Sequence, residues 1–157
     1  MQEFFPDKVE AFIRSAARHN LKMIMVGGGA VNFHGYQRHS TDLDFWIDIR
    51  KENIEKLLFV LQELGYQIES FPSQVLKGEQ NISLKISPVF DLELITKFNP
   101  GKSFDQAYND SETAEFEGSK YHVLNLNDLV RSKISSDRIK DKLDVEELHK
   151  IQLRKKD

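Results

Sequence analysis

The apolar run Met23–Val26 ends directly at three consecutive glycines, and this junction constrains the fold more than any other part of the chain. A short apolar run that stops at glycine is typical of a buried strand. Glycine has no Cβ, so a glycine turn lets the backbone approach a ligand closely. The small and apolar residues that follow predict a short helix near residues 30–35, and a helix N-terminus offers unpaired N–H groups to an anion. The sequence therefore predicts a phosphate-binding turn at Gly27 and Gly28.

A second feature, the alternating segment 42–48, supplies carboxylates. Side chains alternate between the two faces of a strand, so Asp42 and Asp44 share one face, while Leu43, Phe45 and Ile47 point to the other. Two neighbouring carboxylates raise each other's pKa unless a cation lies between them. Oxygen ligands of this kind suit Mg²⁺, which usually takes one or two carboxylates plus substrate phosphates. The two features together predict a metal–nucleotide site.

The order and spacing of these residues resemble a known family. Gly27-Gly28 is followed, after thirteen residues, by Asp42-Leu43-Asp44-Phe45. This pattern resembles the signature of the DNA polymerase beta-type nucleotidyltransferase superfamily. The closest resemblance is to its small bacterial branch, which includes minimal nucleotidyltransferases, the abortive-infection toxin type and lincosamide-modifying enzymes.

The resemblance implies a third carboxylate on a later strand, and Asp91 matches that position. In the segment 90–94, Asp91 and Glu93 share one face and the apolar residues share the other. The alternative is that both acidic residues lie on the solvent-exposed face of an edge strand. We expect Asp91 to join the site, because site carboxylates cluster, and we leave the role of Glu93 open.

Four further residues are candidates for contact with the nucleotide. Arg38 would add a charge-assisted hydrogen bond to the phosphates, and Thr41 directly precedes the acidic pair. Lys133 and Arg138 lie in a pattern that resembles the C-terminal part of the same branch, where basic residues face the triphosphate or brace the catalytic core. The alternative for these two is an ordinary solvated helix with charge pairs one turn apart, and the sequence does not decide between the two interpretations.

Length and composition set the remaining expectations. A chain of 157 residues predicts a single domain, 1–157, with a core at 1–124 and C-terminal helices at 125–153. The absence of cysteine excludes disulfides and thiolate zinc sites. A net charge of −3 gives no global attraction to nucleic acid. Without a long apolar stretch or a secretory signal, we expect a cytoplasmic protein that makes no membrane contact.

Hydrophobic periodicity predicts an α/β (α+β) fold, in which a small, mixed and mostly antiparallel sheet is flanked by helices and followed by a short C-terminal helical part. Residues 96–120 are expected to be rich in loops, and His34 and His39 are expected to lie in an exposed polar loop. Asn125 or Asn127 is expected to cap the first C-terminal helix. The segments expected to be regular are helices at 7–19, 53–64 and from 139 to 151, and strands at 23–26, 42–48, 66–70, 81–86, 89–95 and 121–124.

Taken with the resemblance, these residues imply transfer of a nucleoside monophosphate from an NTP to a hydroxyl acceptor, with release of pyrophosphate. Asp42 and Asp44 would hold two Mg²⁺ ions, and Asp91 would hold one of them and take the proton of the acceptor hydroxyl. The acceptor stays open between an antibiotic, a tRNA end, a protein side chain and a small metabolite. The alternative function is a nucleotide-binding or toxin–antitoxin module with weak or lost transfer activity, which would bind a small helical protein partner.

Overall fold

The computed structural model describes residues 7–37, 42–87, 90–134 and 138–156. Within these ranges a six-stranded sheet has the order β3-β4-β2-β1-β6-β5. Its strands are β1 (Met23–Val26), β2 (Asp42–Ile47), β3 (Ile82–Ser87), β4 (Phe90–Ile95), β5 (Glu112–Phe116) and β6 (Ser119–Val123). The helices of these ranges are α1 (Asp7–Arg18), α2 (Gly27–Phe33), α3 (Lys51–Glu63), α4 (Ser73–Leu76), α5 (Phe104–Asp110), α6 (Leu126–Ile134) and α7 (Ile139–Lys156).

The sheet is mixed, as the sequence predicts. The β2–β4 and β1–β6 pairs are parallel, and the β1–β2, β3–β4 and β5–β6 pairs are antiparallel. Helix α3 lies between β2 and the β3–β4 hairpin in the chain, which gives the connection length that a parallel β2–β4 pair requires. The predicted α/β class with a mostly antiparallel sheet is therefore confirmed.

The two faces of the sheet have different chemistry. Leu43, Phe45 and Ile47 of β2 point to one face and are buried there. Helix α1 covers this face, with the ring of Phe12 centred 5.8 Å from that of Phe45. Since side chains alternate, the acidic residues of β2 lie on the opposite face, together with Trp46. Apolar packing on one side thus holds the acidic face in place.

Two local expectations need correction, and three elements were not predicted. Helix α2 begins at Gly27, so the glycines form its first turn and do not merely precede it. Segment 66–70 contains no strand, because its apolar residues pack only partly against the core beside the turn that ends α3. The loop-rich segment 96–120 also contains α5 and β5, which were not predicted. The short helix α4 was not predicted.

The C-terminal part consists of α6 and α7, which contact each other. Asn125 is the cap of α6: its Oδ1 accepts from the Asp128 backbone N–H at 2.8 Å, and its Nδ2 donates to Asp128 Oδ2 at 2.9 Å. Of the two candidate caps, the structure therefore selects Asn125. Among the described helices, none combines the length and apolarity that crossing a bilayer would need.

Candidate active site

Four carboxylates lie side by side on the acidic face of the sheet. Asp42 of β2 pairs in register with Asp91 of β4, and Asp44 pairs with Glu93 two residues further along both strands. Register partners in a parallel pair project to the same face, and so do residues two apart on a strand. The strand register therefore places Asp91 on the same face as Asp42 and Asp44, as predicted. Glu93 lies on this face as well.

The glycine turn lies directly against this acidic group. Val26, the last residue of β1, pairs with Asp44, and Gly27 follows with φ +61°. A Cβ on Gly27 would lie 2.2 Å from Asp44 Oδ2, far inside contact distance. Only glycine allows this backbone conformation and this close approach together. The carboxylate of Asp44 is thus held against the N-terminal turn of α2.

The other two glycines of the turn are buried. A Cβ on Gly29 would meet Leu43 Cδ2 at 2.7 Å and Met25 Sδ at 2.9 Å. The third glycine, which goes beyond the Gly-Gly of the family signature, is therefore required by packing of α2 on the sheet. Gly28 lies between these two tight positions.

Electrostatic strain is concentrated on Asp44. The pKa of Asp44 is raised from 3.8 to about 6, chiefly by burial and then by the nearby charges of Asp42 and Glu93. Lys140 and Lys133 act in the opposite direction and lower it. A cation bound here would relieve the repulsion, since an opposite charge favours the ionised carboxylate.

Polar contacts on the neighbouring strand distinguish Glu93 from Asp91. Ser83 Oγ of β3 donates to Glu93 Oε1 at 2.5 Å, which places Glu93 toward the β3 side of the group. Lys85 of β3 pairs in register with Asp91. A basic residue therefore faces the site from β3 at the position of Asp91.

The donor chemistry of the group fits Mg²⁺, although the site is not a preformed cage. Carboxylate oxygens from Asp42, Asp44 and Asp91 are the hard ligands that Mg²⁺ prefers. Within the described ranges, however, no three histidine or acidic side chains are close enough together to hold a metal ion unaided. Mg²⁺ is commonly bound by one or two carboxylates plus substrate phosphates. The arrangement fits a metal that arrives with a nucleotide.

Lys133 and Arg138 are held by acidic residues of α7. Lys133 is buried, and its Nζ lies 3.1 Å from Asp141 Oδ1 and 3.2 Å from Asp144 Oδ2. Arg138 Nε lies 3.2 Å from Asp141 Oδ2. These contacts favour bracing of the α6–α7 pair over a free phosphate-binding role for Lys133. The charge of Lys133 still acts on Asp44, and so does that of Lys140.

Two predicted nucleotide contacts, Arg38 and Thr41, lie outside the described residues, as does His39. His34, by contrast, is buried at the end of α2, where its Nε2 lies 2.7 Å from the Leu124 carbonyl oxygen. The expectation that His34 is an exposed loop residue was therefore wrong. This bond ties α2 to the start of the α6 segment.

The opposite end of the acidic face is covered by aromatic side chains. Trp46 follows Asp44 by two residues on the same face of β2, and its ring lies 5.1 Å from Phe98 and 4.9 Å from Phe104 of α5. These three rings line a cavity of about 310 Å³ at the end of β2. Its volume is in the range of small-molecule sites, but it is a groove largely open to solvent, and none of the four carboxylates lines it. Only the capping pattern Ser103-x-x-Gln106 could have indicated α5 in the sequence.

Comparison with known proteins supports the fold. The chain matches no protein-family model and has no significant match among curated proteins. Its structure is similar to a crystal structure of the lincosamide antibiotic adenylyltransferase LnuA with bound lincomycin, with a TM-score of 0.60. The similarity covers 96% of this chain and 99% of that chain at 15% sequence identity. The resemblance seen in the sequence is thus confirmed at the level of the fold.

Proposed function

We propose that the protein is a metal-dependent nucleotidyltransferase that moves a nucleoside monophosphate from an NTP to a hydroxyl acceptor. The observation that carries this proposal is the contact between the glycine turn and the acidic group. Asp44 Oδ2 occupies the space beside Gly27 that a Cβ would fill, at the N-terminal turn of α2. The turn that we propose to bind the phosphates thus touches a carboxylate that we propose to bind the cation.

In the proposed reaction, the acceptor oxygen forms a bond to the α-phosphorus, and the bond from that phosphorus to the β-phosphate oxygen breaks. Pyrophosphate leaves with the electron pair, and Asp91 takes the proton of the acceptor hydroxyl. Gly27 and Gly28 present backbone N–H groups to the β- and γ-phosphates. Mg²⁺, held by Asp42, Asp44 and Asp91, would stabilise the charge on the attacking and leaving oxygens.

We propose that the acceptor is a small molecule. The cavity beside Trp46 is lined by rings at one end of the face that carries the carboxylates. LnuA, whose fold this chain shares, acts on lincosamide antibiotics. A lincosamide is therefore the first acceptor to test, ahead of tRNA, a protein hydroxyl or another metabolite.

The proposal is tested by measuring pyrophosphate release with each of the four NTPs in Mg²⁺, alone and with lincomycin and other hydroxyl-bearing acceptors. Mass spectrometry of the acceptor then identifies the added nucleoside monophosphate. We expect release that requires Mg²⁺ and an acceptor, and its loss in Asp42→Asn. The exposed Glu115→Gln, on β5, is the matched control and should retain the activity.

Binding separates the proposed enzyme from a module without transfer activity. If no acceptor is modified and the chain still binds Mg²⁺·NTP, the transferase proposal is replaced by a nucleotide-binding one. If neither transfer nor binding is found, both proposals are wrong.

A further inference from the structure

Helix α7 carries apolar side chains on two opposite sides. Leu148 and Ile151 form the first set and are buried toward the rest of the molecule, on the same side as the buried Asp144. Leu143 and Leu153 lie on the other side, with 51% and 65% of their surface exposed. An ordinary surface helix has one apolar stripe and a polar opposite face. The exposed stripe of α7 therefore needs an explanation of its own.

The exposed stripe follows the spacing of a coiled-coil seam. The positions are separated alternately by four and three residues, which is the 3.5-residue repeat of helices that pack side by side. Every member is exposed. We call the stripe the α7 seam, and it consists of Ile139, Leu143, Glu146, Lys150 and Leu153.

The α7 seam is complementary to itself when its direction is reversed. Read forwards from 143, its residues are Leu, Glu, Lys and Leu, and read backwards they are Leu, Lys, Glu and Leu. Two antiparallel copies centred near residue 148 therefore place Leu143 opposite Leu153 and Glu146 opposite Lys150, each pair occurring twice. A contact repeated in this way is what a two-fold axis generates.

Other arrangements of two copies are disfavoured by charge. A parallel pair would place Glu146 against Glu146 and Lys150 against Lys150. An antiparallel pair centred on residue 146 would bring Ile139 to Leu153 but would again set Glu146 against itself. In the register centred near 148, Glu146 of one copy is opposite Lys150 of the other, so opposite charges meet. On its own helix, Lys150 Nζ lies 3.2 Å from Glu147 Oε1.

We propose that the chain forms an antiparallel homodimer through the α7 seam, with a second copy of this chain as the partner. The seam from Leu143 to Leu153 spans about 15 Å of helix. An interface of this length is smaller than the standard size for stable complexes. The dimer is therefore weak and concentration-dependent, and it places the second copy on the side of α7 away from α6.

The first experiment is sedimentation equilibrium of the full chain from about 10 µM to about 1 mM, the range in which a small interface dissociates. Glu146→Lys and Lys150→Glu each bring like charges together at both symmetric contacts, so each should raise the dimer Kd by about tenfold or more. The double variant Glu146→Lys/Lys150→Glu exchanges the charges and should restore dimerisation. Glu55→Lys, an equal charge change at an exposed position of α3, should leave the Kd unchanged.

The orientation is tested by cross-linking, because the chain has no native cysteine. A mixture of Leu143→Cys and Leu153→Cys should form a disulfide-linked heterodimer on oxidation, and neither variant alone should cross-link. Circular dichroism of each variant is the control and should show that the helices are retained. The proposal would be overturned if the wild type were a monomer at every concentration, or if either single charge variant had the same dimer Kd as the double variant. Disulfide formation by Leu143→Cys alone would also overturn it.

Discussion

Asp44 Oδ2 lies only 2.2 Å from the position that a Cβ of Gly27 would take, which is far inside contact distance. This relationship joins the strand that carries the acids to the turn that starts α2. Gly27 has a positive φ as well, so the backbone and the contact both require glycine there.

Gly27→Ala should destabilise the protein and abolish nucleotide binding, because the new methyl displaces the Asp44 carboxylate. The backbone strain of alanine at positive φ contributes about 1–2 kcal/mol, and displacement of Asp44 adds to it. Gly118→Ala is the matched control, because Gly118 has φ +83° and nothing within 4 Å of its Cβ position. Thermal unfolding and titration with Mg²⁺·ATP measure both effects. Equal losses in the two variants would show that the contact with Asp44 is unimportant.

Asp44→Asn should stabilise the metal-free protein at neutral pH. The pKa of Asp44 is about 6 in the folded state against an ordinary value of 3.8. Between these values the folded state holds a proton that the unfolded state has lost, so the free energy of unfolding falls as pH rises through this window. Above about pH 6, the loss of stability caused by ionised Asp44 reaches its full size, which is no more than about 3 kcal/mol. The asparagine variant avoids it.

The measurement is thermal unfolding with EDTA at several pH values from 4 to 8. The advantage of Asp44→Asn should be largest above about pH 6 and should disappear near pH 4. Glu115→Gln controls for the loss of an exposed carboxylate on β5. A melting temperature several degrees below that of the wild type at neutral pH would mean that Asp44 is structural.

Lys133→Met should unfold the α6–α7 pair more easily. It leaves the buried Asp141 and Asp144 beside each other without the cation that lies 3.1 and 3.2 Å from them. Removing one partner of a buried ion pair costs about 3–5 kcal/mol. Urea unfolding should show this loss, with partial recovery when Asp144→Asn is added.

Lys142→Met is the control for Lys133→Met, because Lys142 is exposed on α7. Its stability should match that of the wild type. If Lys133→Met keeps full stability and loses nucleotide affinity, the bracing role is wrong and the phosphate-contact interpretation of Lys133 is correct.

The sequence predicted the parts of the site that depend on local periodicity. Alternation along β2 places Asp42 and Asp44 on one face whatever the rest of the fold, and the segment with Asp91 alternates in the same way. Their meeting depends on β2 pairing with β4 in the register Asp42 to Asp91. Neither segment by itself predicts this long-range pairing. The expectation that Asp91 lies beside the acidic pair came from the family resemblance.

The features that the sequence did not predict depend on tertiary packing. The burial of His34 depends on the Leu124 carbonyl, ninety residues away in the chain. Helix α5 is short and polar in composition, and it is fixed by the contact of Phe104 with Trp46. The bracing of Lys133 needs both C-terminal helices in place. Contacts of this kind have no periodic signature.

The central claim is that the glycine turn and the acidic strand form one site for a nucleotide and its cation. The most direct test is the ATP affinity of the wild type and of Asp42→Asn/Asp44→Asn, each measured in saturating Mg²⁺ and in EDTA. Metal and nucleotide should bind cooperatively, because the cation relieves repulsion among the carboxylates and between them and the triphosphate. A typical coupling is about 1–3 kcal/mol, or about 5–150-fold in affinity. We predict that the wild type loses affinity by about this factor in EDTA and that the double variant loses most of the metal dependence. Equal ATP affinity in all four conditions would contradict the account.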